Sequence, residues 1–287
     1  MLTTRAAADH QVGHAIMPRV SIGDCDLYYE RHGAGHPILL ITGLAGHAQY
    51  WRCQLPSFSR NFEVIVYDHR GVGESEAASC GSTIERMARD VIAMMDALGI
   101  PRAHVVGHSA GGAIAQVLAI EHPQRVSSVV IAASWPKADA YFRRLFALRK
   151  EILLRLGPAA YVQTNTLLLY PADYIARNNE KLRLDEAQAL ATFASPERVL
   201  SRIDAILAFD RTADLGRIRT PSLIMAAQDD IVTPAYYSED LARRIHGAEA
   251  KFFPQGGHYF NQVAPREFNL AVLPFLAAHT PAEARVS

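Results

Sequence analysis

Ala103-His104-Val105-Val106-Gly107-His108-Ser109-Ala110-Gly111-Gly112-Ala113-Ile114-Ala115 is the stretch on which the reading of this chain turns. An apolar run ends at Gly107, one serine stands between two glycines, and a small-residue helical pattern follows. The spacing is Gly-x-Ser-x-Gly, that of a strand turning sharply into a helix so that the serine hydroxyl is lifted out of the sheet. Glycines on either side let the two elements cross closely. The turn also sets the Ala110 N–H at a helix start, where it can face an anionic oxygen. Taken alone, the stretch is equally a tight turn of any α/β protein with an incidental serine.

The surroundings decide. Pro37-Ile38-Leu39-Leu40-Ile41 is a fully apolar run of the kind found in a buried parallel strand, and it leads into Thr42-Gly43-Leu44-Ala45-Gly46-His47. Such a glycine-rich loop offers backbone N–H groups, here that of Leu44, and His47 is a candidate pocket residue. Upstream, residues 19–31 read as a hairpin with a Gly23-Asp24 turn. Residues 63–67 are a further strand, and the Asp68-His69-Arg70-Gly71 loop after it reads as a turn fixed by charged hydrogen bonds. Ser82-Thr83-Ile84-Glu85 is a capping-box signature for a helix whose apolar face carries Met87, Val91 and Met95 as core filler.

After the strand at residues 126–133 the rhythm changes. Residues 134–219 carry helical patterns only: a first helix ending at Gly157-Pro158, pieces over 158–169, 173–181 and 185–193, and a last one opened by Ser195-Pro196. Strands resume at 221–227 and 251–254. Strand–helix alternation with short connections means a mostly parallel sheet of about eight strands, covered by helices on both faces. The expected organisation is an N-terminal arm (1–18), a first core part (19–133), a helical cap (134–219) and a second core part (220–287). Ligands of such sheets bind outside the carboxyl ends of the strands.

Composition narrows the partners. Lys+Arg and Asp+Glu both total 29, so no basic excess points to nucleic acid. No apolar run is long enough to cross a bilayer. Residues 1–18 are polar and Ala-rich without a continuous apolar core, which reads as an arm and not a signal peptide. Cys25, Cys53 and Cys80 are odd in number and scattered, a usage that fits free thiols in a reducing cytoplasm. No metal-ligand spacing, P-loop or dinucleotide fingerprint appears, so no cofactor is expected. The partner expected is a small molecule, and a homodimer is the base-rate assembly for a cytosolic enzyme.

A serine hydroxyl needs a base within hydrogen-bond reach. His258, in Gln255-Gly256-Gly257-His258-Tyr259 after the last strand, is the best placed of the twelve histidines. His108, next to the serine, reads as structural. The base in turn needs a carboxylate to hold its tautomer. Gln228-Asp229-Asp230-Ile231-Val232-Thr233-Pro234 offers two, in the chain order Ser, Asp, His expected for this kind of sheet.

These features jointly resemble the α/β-hydrolase superfamily over nearly the whole chain: the Gly43 loop, Asp68-x-Arg70-Gly71-x-Gly73-x-Ser75, the Ser109 elbow, Asp229-Asp230-x-x-x-Pro234 and Gly257-His258. The resemblance implies Asp230 as the triad acid, with Asp229 as the fallback. Many members carry His-Gly at the oxyanion loop, where this chain has Thr42-Gly43, so that loop is supported differently here. Arg143-Arg144 and Leu168-Leu169-Tyr170-Pro171-Ala172-Asp173 are similar to the aminoacrylate hydrolases of bacterial pyrimidine degradation. Some of those lack the elbow serine that this chain has.

The resemblance implies a serine hydrolase acting through Ser109, His258 and Asp230, with the Leu44 and Ala110 amides as oxyanion donors. Its expected substrate is a small amide, carbamate or related acid derivative, of the kind met in N-heterocycle breakdown. Ester, lactone or C–C bond hydrolysis is the alternative within the same mechanism, and a non-catalytic ligand-binding protein the alternative outside it. Expected pocket residues are Trp135, just after a strand end, Arg143 or Arg144 as a carboxylate clamp, and His47, Tyr170 and Tyr259.

Overall fold

The computed structural model describes residues 18–76 and 82–282. The expected N-terminal arm, Pro18 apart, and Cys80 lie outside them. In chain order the elements are β1 (Arg19–Ser21), β2 (Asp26–His32), β3 (His36–Ile41), α1 (Leu55–Phe58), β4 (Phe62–Tyr67), α2 (Ile84–Ala97), β5 (Ala103–His108), α3 (Ala110–Glu121) and β6 (Val126–Ala132). There follow α4 (Ala140–Leu169), α5 (Ala172–Ala191), α6 (Pro196–Ala208), β7 (Ser222–Ala227), α7 (Ala235–Arg244), β8 (Glu249–Phe253), α8 (Phe260–Val263) and α9 (Pro265–Ala278).

The strands form one 8-stranded sheet in the order β1-β2-β4-β3-β5-β6-β7-β8. β1 and β2 make the expected antiparallel hairpin, β2 also runs antiparallel to β4, and all other pairings are parallel. Period-2 alternation sends successive side chains of one strand into two separate cores. Leu39, Ile41 and Val105 pack with Met87 and Val91 of α2 and Ile114 and Val117 of α3. Ile38, Leu40 and Val106 face the other way, onto Phe58 of α1 and Phe268 and Val272 of α9. With both faces covered, β5, β6 and β7 are buried at every position, and each large apolar side chain among them contributes about 1.5–3 kcal/mol by burial.

The chain runs from β3 outward to β4 and then back across β3 to β5. The strand order therefore reverses between β3 and β5, and the crevice at their carboxyl ends is the place where such sheets bind ligands. The loop 42–47 and the Ser109 turn leave the sheet at that crevice.

Between β6 and β7 the described chain is helical apart from short connections and an isolated bridge from Lys137 to Asp210. α4 is broken at Gly157 (φ 81°, ψ −178°), ahead of Pro158, where the sequence places a helix end. α5 runs unbroken through residues 182–184, where two pieces were expected; its irregularity is at Asn178 (φ −123°, ψ 22°). The Asn178 side chain there donates to the Tyr174 carbonyl at 2.9 Å, drawing the amide toward its own backbone. Ser195 caps α6 as expected, while α2 is capped by Thr83, whose Oγ1 accepts from Arg86 N–H at 3.0 Å. Among the described residues no helix is long and apolar enough to cross a membrane.

Candidate active site

Ser109 joins β5 to α3 with φ 56° and ψ −118°, a conformation that non-glycine residues seldom adopt. Hydrogen bonds of its own peptide groups hold it there, one of them from Ala113 N–H to its carbonyl at 3.2 Å. Its N–H donates to the Ala132 carbonyl at 2.8 Å, and its own carbonyl accepts from Gly112 N–H and Ser134 Oγ, both at 2.9 Å. The flanking glycines answer to close packing. A Cβ at Gly107 would stand 2.2 Å from the Gly111 oxygen, and one at Gly111 would stand 2.0 Å from the Ile41 oxygen. Strand and helix thus cross at backbone contact.

His258 leaves the loop after β8 and is buried beside Ser109 in the same cavity wall. Its Nδ1 stands 2.9 Å from Asp230 Oδ2. The hydrogen-bond pattern assigns the proton to Nδ1 and leaves Nε2 as an acceptor. Asp230 follows β7 and is itself buried. It accepts from Val232 N–H at 2.7 Å, Thr233 N–H at 3.0 Å and Thr233 Oγ1 at 2.8 Å, so the buried carboxylate is fully engaged. Asp229 points elsewhere and accepts from Gly256 N–H at 3.2 Å and Gly257 N–H at 2.8 Å, tying down the loop that carries His258. His108 braces that loop from below: its Nε2–H donates to the His258 carbonyl at 2.8 Å, and burial holds its imidazole well below the ordinary range, hence neutral.

The loop 42–47 is held from outside the sheet. Arg202 of α6 donates from Nε to the Leu44 carbonyl at 2.8 Å and from Nη2 to the Gly43 carbonyl at 3.4 Å. Nη2 also reaches His69 Nδ1 at 2.9 Å, and burial pulls the Arg202 guanidinium down to about 10. Two carbonyls are thereby fixed toward α6. Among the described residues neither the Leu44 N–H nor the Ala110 N–H donates to another backbone group. Asp68 and Arg70 hold the neighbouring loop, as the sequence suggests. Asp68 accepts from Ala48 N–H at 2.7 Å and Glu74 N–H at 2.9 Å, and Arg70 pairs with Asp90 at 2.6 Å.

Leu44, Ser109 and His258 share the lining of a cavity of about 140 Å³. The sheet loops are its floor, and Phe146, Arg149, Tyr161, Asn165 and Phe193, from α4 and the segment after α5, are its roof. A more open cavity of about 220 Å³ adjoins it, sharing Thr42, His47, Asn165, Leu169 and Tyr259. His47 and Tyr259 therefore line both, and Tyr170 lines only the outer one. Burial lowers the His47 imidazole below its ordinary value and raises the Tyr259 phenol to about 12.

Three expected pocket residues are elsewhere. Trp135 is fully buried against Phe142, with ring centroids 4.8 Å apart, and lines neither cavity. Arg143 and Arg144 are exposed. The inward face of α4 runs through Phe142, Phe146, Arg149 and Leu153, and residues one and two steps after Phe142 fall on the outer side. The arginines that reach the inner cavity are Arg149 and Arg202, which sequence reasoning passed over. The signal was present: each occupies a position on the apolar stripe of its helix. Among the described residues no group of three or more His, Cys, Asp or Glu side chains is arranged to hold a metal ion.

Fold and site define a class: an α/β protein that presents a strained serine, a buried His–Asp pair and free backbone amides at the reversal point of a parallel sheet. Comparison with known proteins agrees. The chain belongs to the α/β-hydrolase fold family, matched over residues 36–265, and is a hydrolase. It is 44% identical over 259 residues to a protein of Azorhizobium caulinodans named "Putative carbamate hydrolase RutD", covering 90% of this chain and 98% of that one. A relative of the same name from Caulobacter vibrioides is 41% identical over 266 residues, covering 91% and 99%. Among solved structures, the enol-lactonase of Burkholderia xenovorans LB400 superposes with a TM-score of 0.84 at 26% identity, covering 91% of this chain and all (100%) of that one.

Proposed function

We propose that the chain is a serine hydrolase that cleaves a small amide, carbamate or related acid derivative through an acyl-enzyme. The observation that carries this reading is the buried Asp230–His258 pair, 2.9 Å apart, set beside a strained serine in one small cavity. His258 Nε2 takes the Ser109 proton as Oγ attacks the carbonyl carbon, and Asp230 stabilises the imidazolium so formed. The N–H groups of Leu44 and Ala110 receive the oxyanion. The tetrahedral intermediate collapses, the leaving amine takes the proton from His258, and water repeats the sequence on the acyl-Ser109 ester. The relatives' name supports a carbamate or amide bond, and helices α4–α6 act as the cap that selects it. The same proposal sets the enzyme in a reducing cytoplasm, with Cys25 and Cys53 free.

A second reading, hydrolysis of an ester or lactone, has one specific support in the superposition on an enol-lactonase. A panel of matched amides, carbamates, esters and lactones, assayed with the unmodified chain and with Ser109→Ala, tests both. Turnover that requires Ser109 and ranks amides or carbamates first is the expected result. Undiminished turnover by Ser109→Ala overturns the mechanism, and a preference for lactones selects the second reading.

A further inference from the structure

Among the described residues two buried guanidinium groups line the inner cavity, and no Asp or Glu does. Arg149 is 5% exposed and Arg202 3% exposed, and among the described residues neither forms an ion pair. Asp230, the acid paired with His258, is already engaged by four donors, His258 among them. A buried cation without an opposite charge is costly unless something in the site compensates it.

The two arginines are used differently. Arg202 spends its donors on the Gly43 and Leu44 carbonyls and on His69. Arg149 is engaged through Nη2 alone, donating to Tyr161 OH at 3.1 Å and Asn165 Oδ1 at 2.9 Å. Its Nε is buried without a partner. The guanidinium carbon lies 4.6 Å from the Phe146 ring centroid and 5.4 Å from that of Tyr161, so aromatic faces fix its plane. The result is an oriented guanidinium whose Nη2 hydrogens are spent and whose other N–H groups are not, in the roof of a cavity whose floor carries Ser109.

We propose that Arg149 is an anion anchor, which binds a carboxylate of the substrate while a separate carbonyl of the same molecule lies at Ser109. The inference rests on the serine-hydrolase reading and narrows its substrate class. A buried guanidinium with charge and N–H donors to spare is matched by a carboxylate, which accepts charge-assisted hydrogen bonds. Size sets a second limit. A cavity of roughly 150 Å³ holds one benzene, so the inner cavity of about 140 Å³ has room beside Ser109 for a short acid bearing one amide or ester group, and anything longer extends into the adjoining outer cavity. A bare carbamate ion has a single carboxyl carbon and does not fill both places. Arg149 is a binding and specificity residue in this account, and takes no part in proton transfer.

The test is calorimetric binding to the Ser109→Ala chain, which needs no turnover. Malonamate carries one carboxylate and one amide; malonamide is its neutral counterpart of the same shape. Malonamate is expected to bind at least about tenfold more tightly, as loss of a charge-assisted pair implies. Arg149→Gln is expected to bring that advantage below about threefold, and Arg149→Lys to keep part of it, with thermal melts confirming that both variants fold. Equal or undetectable binding of the two probes overturns the proposal without any change at Arg149. An advantage that survives Arg149→Gln also overturns it, and moves the anion to Arg202. Failure of the hydrolase reading is seen separately, as product formed by Ser109→Ala.

Discussion

Asp229 and Asp230 are adjacent in sequence and opposite in use. Asp230 meets His258 Nδ1, while Asp229 holds the backbone of Gly256 and Gly257. The two substitutions therefore separate. Asp230→Asn leaves the geometry in place but favours the wrong imidazole tautomer, and kcat is expected to fall on the order of 10⁴-fold. Asp229→Asn loosens the loop and is expected to cost about tenfold, since the donors of Gly256 and Gly257 keep a weaker acceptor. Steady-state kinetics on one substrate measure both. Ser109 and His258 were legible in the sequence because each sits in a glycine pattern that constrains the backbone. The choice between Asp230 and Asp229 was carried there by family resemblance, because an Asp-Asp pair has no intrinsic direction. Arg143 and Arg144 draw attention by adjacency but are exposed, whereas helical phase puts Arg149 on the inward face of α4.

At the scale of elements, α6 and the loop after β3 work as one unit. The sequence shows that Thr42-Gly43 lacks the histidine support found in many relatives, but not what replaces it. The replacement comes from a residue far along the chain, Arg202, whose Nε and Nη2 fix the Leu44 and Gly43 carbonyls. Fixing the Gly43 carbonyl also fixes the Leu44 N–H of the same peptide unit, and Leu44 lines the cavity. Arg202→Met is expected to lower kcat about ten- to a hundredfold with KM changed less than about threefold, because an oxyanion donor acts in the transition state. Arg202→Lys recovers part of kcat if one carbonyl is still held. An equal change in KM would mean instead that Arg202 binds substrate. The positions of the strands, the outer hairpin and the break of α4 at Gly157 followed from apolar runs and glycine–proline punctuation, while the strand order did not. The packing of α4–α6 over the sheet did not, since helix periodicity names an inward face but not the surface it meets.

The whole molecule responds to acid through its buried histidines. Burial holds His36, His69, His104 and His108 below the ordinary imidazole value, His104 at about 3. In the unfolded chain the same groups titrate near 6.5. The unfolded state then binds more protons, so stability is complete above that value and is lost as pH falls from about 6.5 toward 3. Melting temperature is expected to drop steadily across that window, with unfolding taking up roughly one proton per histidine. His104→Gln removes one of these protons and flattens the curve; an unchanged slope would mean that His104 is already charged in the folded protein.

The central claim is that Ser109 is the nucleophile of a single acyl-transfer site, and covalent capture tests it most directly. The chain is treated with a serine-directed fluorophosphonate while turnover of a reactive ester is followed, and the product is mapped by peptide mass spectrometry. One adduct per chain on Ser109, formed in proportion to lost activity and absent in Ser109→Ala, is the expected result. Full activity in a chain labelled at Ser109, or undiminished turnover by Ser109→Ala, would contradict the account.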